Sequence, residues 1–121
     1  MQQPLTPTEI ISLDGKPLSF AKLARIGSRS ATVSADPASL ERVDAARLVV
    51  DDKLARGEPI YGSTTGVGAM KDVEWSKEDL ETFNVGLVRA HHFGTGAPFP
   101  TSVVRNAMAI RVNTALTGRV G

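Results

Sequence analysis

Cysteine is missing from all 121 residues, which excludes a disulfide framework, a thiolate nucleophile, a cysteine zinc site and an iron–sulfur cluster. A reducing compartment suits such a chain. No apolar run approaches the ~20 residues that a bilayer span requires, and Met1 to Pro7 carry neither basic residues nor an apolar core. The expectation is a cytoplasmic protein with no membrane partner. Aromatic residues are scarce, with one tyrosine and one tryptophan. Acidic residues are absent from 82–121, which hold four arginines, whereas residues 1–81 set ten Lys/Arg against thirteen Asp/Glu. Four arginines over forty residues, with Phe93 and Phe99 beside them, are too sparse a footprint for nucleic acid. A carboxylate-bearing small substrate, acidic neighbours or a solvated basic helix face accounts for the same imbalance.

What is present describes a folded domain, or part of one. With 41% hydrophobic and 22% charged residues the chain lies outside the disordered corner of composition. At this length about two thirds of the unfolded surface can be buried, so no metal is needed to hold a core. Glu9 to Leu13 read as a short strand stopped by Asp14-Gly15-Lys16-Pro17, and Ala31 to Ser34 as a second. A short helix should follow Ser19 as N-cap, with Leu23 and Ile26 on its apolar side and Gly27 as a left-handed stop. Asp36-Pro37 opens a longer helix to Gly57 with Leu40, Val43, Ala46, Val50 and Leu54 inward. Ser76-Lys77-Glu78-Asp79 resembles a capping box, opening a helix with the stripe Leu80, Phe83, Leu87, Val88 and His91, ending near Gly94. A last helix runs from Thr101 to Gly118 with Val104, Ala107, Met108, Val112 and Ala115 as its buried side. The class expected is α+β, mostly helical, with short strands near the N-terminus. Arg119-Val120-Gly121 follow a helix stop with no polar tail, and more protein is expected downstream.

Between the second and third helices lie Ile60-Tyr61-Gly62-Ser63-Thr64-Thr65-Gly66-Val67-Gly68, with three glycines and three hydroxyl side chains. Such loops aim backbone N–H groups at anions. The phosphate motifs fail, however: no Lys-Ser/Thr pair follows a correctly spaced glycine, and Lys71 stands where a dinucleotide fingerprint wants its third glycine. What survives is Tyr61 on a loop that permits close approach of a ligand. A lone tyrosine is commonly an amphipathic packing residue. As an acid or base it requires positive charge or hydrogen-bond donors aimed at its oxygen. His91 and His92 point ~100° apart on a helix, so they do not grip one metal ion, and no metal site is expected. His91 falls on the apolar stripe, as a satisfied core histidine or a site residue.

Tyr61-Gly62-Ser63-Thr64-Thr65-Gly66-Val67-Gly68 resembles the tyrosine loop of the histidine and aromatic amino-acid ammonia-lyases, YG-x-x-TG-x-G. Gly86 to Pro98 are similar to the family's N-L-V-x-S-H-x-x-G-x-G-x-P segment, and Val104-Arg105, Arg111-Val112-Asn113 and Gly118 fit the helix after it. The resemblance covers residues 58–121 well and 1–57 loosely. It implies an incomplete N-terminal domain, with short strands and helices in 1–57 and the tyrosine loop and two helices in 58–121, of a larger, mainly helical homotetramer. It implies a 4-methylidene-imidazol-5-one formed from an Ala-Ser-Gly a few tens of residues downstream; no Ala-Ser-Gly occurs here, so the 121 residues alone should be inactive. By carry-over, Tyr61 is the catalytic base, Gly68 walls the substrate, and Ala90 and His91 lie near the substrate ring. Members acting on phenylalanine usually place apolar residues at the last two positions. The activity implied is a carbon–nitrogen lyase removing ammonia from histidine or tyrosine, with phenylalanine third. An aminomutase, which returns the ammonia to the β-carbon, and a stand-alone small-ligand module remain as alternatives. The chain departs from the family pattern at Thr64, Val67, Phe83-Asn84, Gly86 and Arg119-Val120.

Overall fold

Ile11 and Leu13 point inward from strand β1 (Glu9–Leu13) while Ile10 and Ser12 face water, the alternation of a half-buried strand. The computed structural model describes residues 9–73 and 76–119, without the side chains of residues 77, 78, 80 and 81. It divides the chain into two compact units, residues 1–48 with 98–121 and residues 49–97.

In the first unit β1 pairs in parallel with β2 (Ala31–Ala35), Ile11 opposite Val33 and Leu13 opposite Ala35. Parallel neighbours cannot be joined by a tight turn, and helix α1 (Phe20–Gly27) makes the crossover. Ser19 caps it by accepting the Lys22 N–H at 3.3 Å. Beyond β2 the Asp36 N–H donates to the Leu13 carbonyl at 2.9 Å, which extends the ladder by one bond. That bond positions Asp36 as the cap of helix α2 (Pro37–Ala55), where its carboxylate accepts from both the amide and the hydroxyl of Ser39 at 3.0 Å. Helix α4 (Thr101–Ala115) packs on α1. The core is Ile11, Leu13, Ile26, Ala31, Ala109 and Leu116, with Leu18, Ala35 and Val43 against it.

Two polar side chains tie this core together. Asn113 accepts the Gly15 N–H at 3.0 Å and donates to the Lys16 carbonyl at 2.8 Å, clamping the β1–α1 turn to α4. Asn113→Ala leaves both backbone groups unpaired, and unfolding in urea should show a loss of about 2 kcal/mol. A loss below about 0.5 kcal/mol would mean water replaces the clamp without cost. Arg42 donates to Ser39 Oγ at 2.7 Å, to the Asp14 carbonyl at 2.8 Å and to the Leu116 carbonyl at 3.4 Å, so one guanidinium joins α2, the end of β1 and the end of α4. Gly118 ends α4 with φ +68°, and its missing Cβ is what lets the Arg42 carbonyl lie 2.7 Å from where that atom would stand. In the β1–α1 turn the Lys16 amide and ammonium hold the Asp14 carboxyl below its usual range. The folded-state pKa being depressed, that small stabilisation is present near neutrality and lost in acid.

Three expectations are corrected here. Gly27 is not the left-handed stop of α1; Arg29 takes that conformation at φ +66°. Gly27 is instead a close-packed position, because a Cβ there would lie 3.1 Å from Asn106 Nδ2 and 3.3 Å from Ser102 of α4. On α4 the buried side is Ala109, Asn113 and Leu116 with Arg105 and Asn106 half-buried, whereas Val104, Met108 and Val112 are 44%, 64% and 49% exposed and Ala107 and Ala115 are exposed too. The helix meets α1 through small and hydrogen-bonding residues, among them Arg105, whose Nε donates to the Ile26 carbonyl at 2.9 Å. Along α2 the expected stripe is half-buried at Val43, Ala46 and Val50 and exposed at Leu40 and Leu54.

The second unit holds the end of α2, the glycine loop, a 3-10 turn (Gly68–Met70) and helix α3 (Lys77–His91). Ser76 caps α3: its hydroxyl accepts the Asp79 N–H at 3.2 Å and bonds the Asp79 carboxylate at 2.7 Å. Of the stripe expected on α3, Phe83 and Leu87 are half-buried, Val88 and His91 are exposed, and the Leu80 side chain lies outside the described residues. His91 is thus no core histidine. Among the described residues no helix is long and apolar enough to cross a membrane.

Candidate active site

The glycine loop folds on itself before anything else touches it. The Ile60 carbonyl accepts from the amides of Ser63 at 3.0 Å and Thr64 at 2.9 Å, a tight turn around Tyr61 and Gly62. The Thr64 hydroxyl closes that turn by accepting the Ile60 N–H at 2.8 Å. Buried Thr65 uses its hydroxyl twice, accepting the Gly62 N–H at 3.3 Å and donating to the Gly66 carbonyl at 3.1 Å. Two of the three hydroxyl side chains seen in the sequence therefore serve as turn-formers, the usual competition of short polar side chains for nearby backbone.

Tyr61 stands on this frame with 67% of its surface exposed, and the Gly68 N–H donates to its hydroxyl oxygen at 3.3 Å. That donor comes from the loop's own backbone. Beyond Gly68 the chain turns back: the Gly66 N–H donates to the Val73 carbonyl at 3.0 Å and the Val73 N–H to the Met70 carbonyl at 3.1 Å. The Met70 carbonyl oxygen lies only 2.4 Å from where a Cβ on Gly66 would stand, so this return demands glycine at 66. It brings Lys71 and Asp72 to a cavity of about 400 Å³ lined with Pro59, Tyr61 and Thr65. The sequence offered Lys71 only as a misplaced phosphate-loop lysine. The glycine pair at 66 and 68 was the available signal that the chain doubles back there.

Ala90 and His91 are exposed on the last turn of α3. His91 Nδ1 lies 2.7 Å from the Leu87 carbonyl, and because a carbonyl only accepts, Nδ1 carries a proton and Nε2 is not engaged by this contact. His92 makes the same kind of contact to the Arg89 carbonyl. The two rings are engaged separately on their own helix, and no group of metal-ligating side chains exists among the described residues. The structure brings Tyr61 and Gly68 together by a hydrogen bond. It gives none between His91 or Ala90 and the tyrosine loop among the described residues.

A family model for aromatic amino acid lyases matches residues 18–121, tyrosine loop and α3 included. The chain belongs to the aromatic amino acid lyase family. Histidine ammonia-lyase of Streptococcus pyogenes serotype M1 is 35% identical over 114 residues, which make up 94% of this chain and 22% of that protein. Histidine ammonia-lyase of Streptococcus sanguinis matches to the same extent. Among solved structures, the ergothioneine-degrading ergothionase of Treponema denticola superposes with a TM-score of 0.84 at 35% identity, over 90% of this chain and 22% of that one. Tyrosine aminomutase of Streptomyces globisporus superposes with a TM-score of 0.81 at 30% identity, over 89% of this chain and 20% of that one. The chain thus spans about a fifth of these relatives and has the fold of the lyase N-terminal part, helical with a two-stranded sheet.

Proposed function

We propose that these residues supply the base-bearing loop of an ammonia-lyase that converts histidine or tyrosine to its α,β-unsaturated acid. The observation that carries this reading is the Tyr61 hydroxyl, exposed beside a cavity and held by the Gly68 amide within the family match. The β-proton of an amino acid is far less acidic than any side chain, so its removal needs both an electron sink on the amine and a base held within reach. The 4-methylidene-imidazol-5-one of the family supplies the sink when present. Its Ala-Ser-Gly is not among these residues, so on this reading the 121 residues do not form it and are inactive alone. What the chain contributes is Tyr61, which takes the proton at its oxygen, and Gly68, which orients that oxygen. His91, whose Nε2 accepts in the neutral ring, receives the imidazole N–H or phenol O–H of the substrate, with Ala90 leaving room beside it. The working protein is a cytoplasmic homotetramer whose partner is a small amino acid rather than nucleic acid or membrane.

The likeness to a tyrosine aminomutase favours a second reading, in which the ammonia returns to the β-carbon. One assay separates the two. The full-length gene product is incubated with histidine, tyrosine and phenylalanine, while ultraviolet absorbance follows the unsaturated acid and chromatography follows any β-amino acid. Unsaturated acid from histidine or tyrosine supports the lyase, β-amino acid supports the aminomutase, and neither product from any of the three overturns both.

A further inference from the structure

Thr65, at 4% exposure, is the one buried polar side chain between Ile60 and Gly68. A hydroxyl has a single proton to give and lone pairs with which to accept, and the loop engages it in both senses. By accepting the Gly62 N–H at 3.3 Å it holds the peptide that directly follows Tyr61, and by donating to the Gly66 carbonyl at 3.1 Å it holds the peptide between Gly66 and Val67. The next amide along, that of Gly68, donates to the Tyr61 oxygen at 3.3 Å. One buried hydroxyl therefore spans the loop at the place where it would otherwise open, between the backbone of the tyrosine and the amide that meets its side chain. The two arms already touch there. Gly62 takes φ +67°, and a Cβ on it would stand 3.3 Å from Val67 Cγ1. Thr65 also lines the cavity beside Tyr61, but its one proton is committed to the Gly66 carbonyl, so it has none to offer a ligand.

We propose that Thr65 is a positioning residue for proton abstraction, its hydroxyl holding the loop so that the Tyr61 oxygen and the Gly68 amide meet. This rests on the reading of Tyr61 as the base. Valine would fill the same space, yet it would leave a backbone N–H and a backbone carbonyl without their partner in a buried setting. The loop relieves that by turning the two peptides outward, and Gly68 then withdraws from the phenol. Misplacing a reacting group by about an ångström costs on the order of a hundredfold in rate. Binding steps that do not use the phenol oxygen are untouched. Serine keeps the hydroxyl on a stem without the second Cβ branch that restricts χ1, so it should make the same two bonds less rigidly.

The test uses the full-length protein with histidine, tyrosine and phenylalanine as substrates. Thr65→Val should lower kcat at least about tenfold and leave KM within about threefold, whereas Thr65→Ser should recover kcat to within about threefold of the parent. In a Tyr61→Phe background, Thr65→Val should cost less than about a further twofold, because no phenol oxygen is left to position. Amide exchange across residues 60–68 requires no turnover, and it should run at least about tenfold faster in Thr65→Val while Thr65→Ser stays near the parent. If Thr65→Val does not fold, Thr65→Ala is read in its place. Unchanged exchange, a kcat loss below about tenfold, a serine variant as slow as the valine one, or a further loss above about twofold in the Tyr61→Phe background overturns the proposal. An error in the base reading would show separately, as turnover in Tyr61→Phe within about fivefold of the parent.

Discussion

Tyr61→Phe in the full-length enzyme should lower kcat by at least about a hundredfold, the lower end of what a positioned general base contributes. The substitution removes one oxygen and nothing else of the ring. Within these residues the side chain is 67% exposed and its one hydrogen bond among the described residues comes from a backbone amide that water can also satisfy, so this part of the fold has little to lose. The thermal midpoint should therefore stay within about 2 °C of the parent, as for a surface change worth less than half a kcal/mol. Initial rates and a thermal melt on the same preparation check both statements. Turnover within about fivefold of the parent would take the proton-accepting role from Tyr61, since even a modest general base is worth more than that.

Gly66→Ala should be nearly as severe, by a different route. The new methyl carbon would start 2.4 Å from the Met70 carbonyl oxygen and 2.7 Å from Met70 Cβ, and the nearer of these is backbone that cannot swing aside. Either the Gly66–Val73 hydrogen bond breaks or the turn through Met70 shifts by about an ångström. Both movements carry Gly68 away from the Tyr61 oxygen, and a displacement of that size at a reacting group costs about a hundredfold in rate. Rates within threefold of the parent would show that the loop absorbs a methyl group and that the close approach is not required.

Element boundaries were legible wherever the chain carries its own punctuation. Ser19, Asp36-Pro37 and Ser76 open helices α1, α2 and α3 where caps were expected, and the strand at Glu9–Leu13 ends at Asp14-Gly15. Which face of a helix is covered was less legible. Apolar periodicity on α4 points to Val104, Met108 and Val112, yet Ala109 is the buried apolar residue, Ser102 and Asn106 lie against Gly27 of α1, and hydrogen bonding selects Asn113. Periodicity registers neither small size nor a satisfied amide. On α3 the same signal put His91 on the apolar stripe, as a core or a site residue, and among the described residues it is exposed. The tyrosine loop itself was readable as a motif, while its return through Met70 to Val73 was not, because a carbonyl held against a missing Cβ leaves no trace beyond the glycine.

The oxygen of Tyr61 is aligned by an amide seven positions along, and the bend that offers this amide is fastened by contacts that all lie between Ile60 and Val73. On the reading of Tyr61 as the base, proton abstraction thereby depends on one short stretch of polypeptide. Changes elsewhere can retune which side chain is accepted without rebuilding the base, and that autonomy suits a scaffold whose kin handle histidine, ergothioneine and tyrosine.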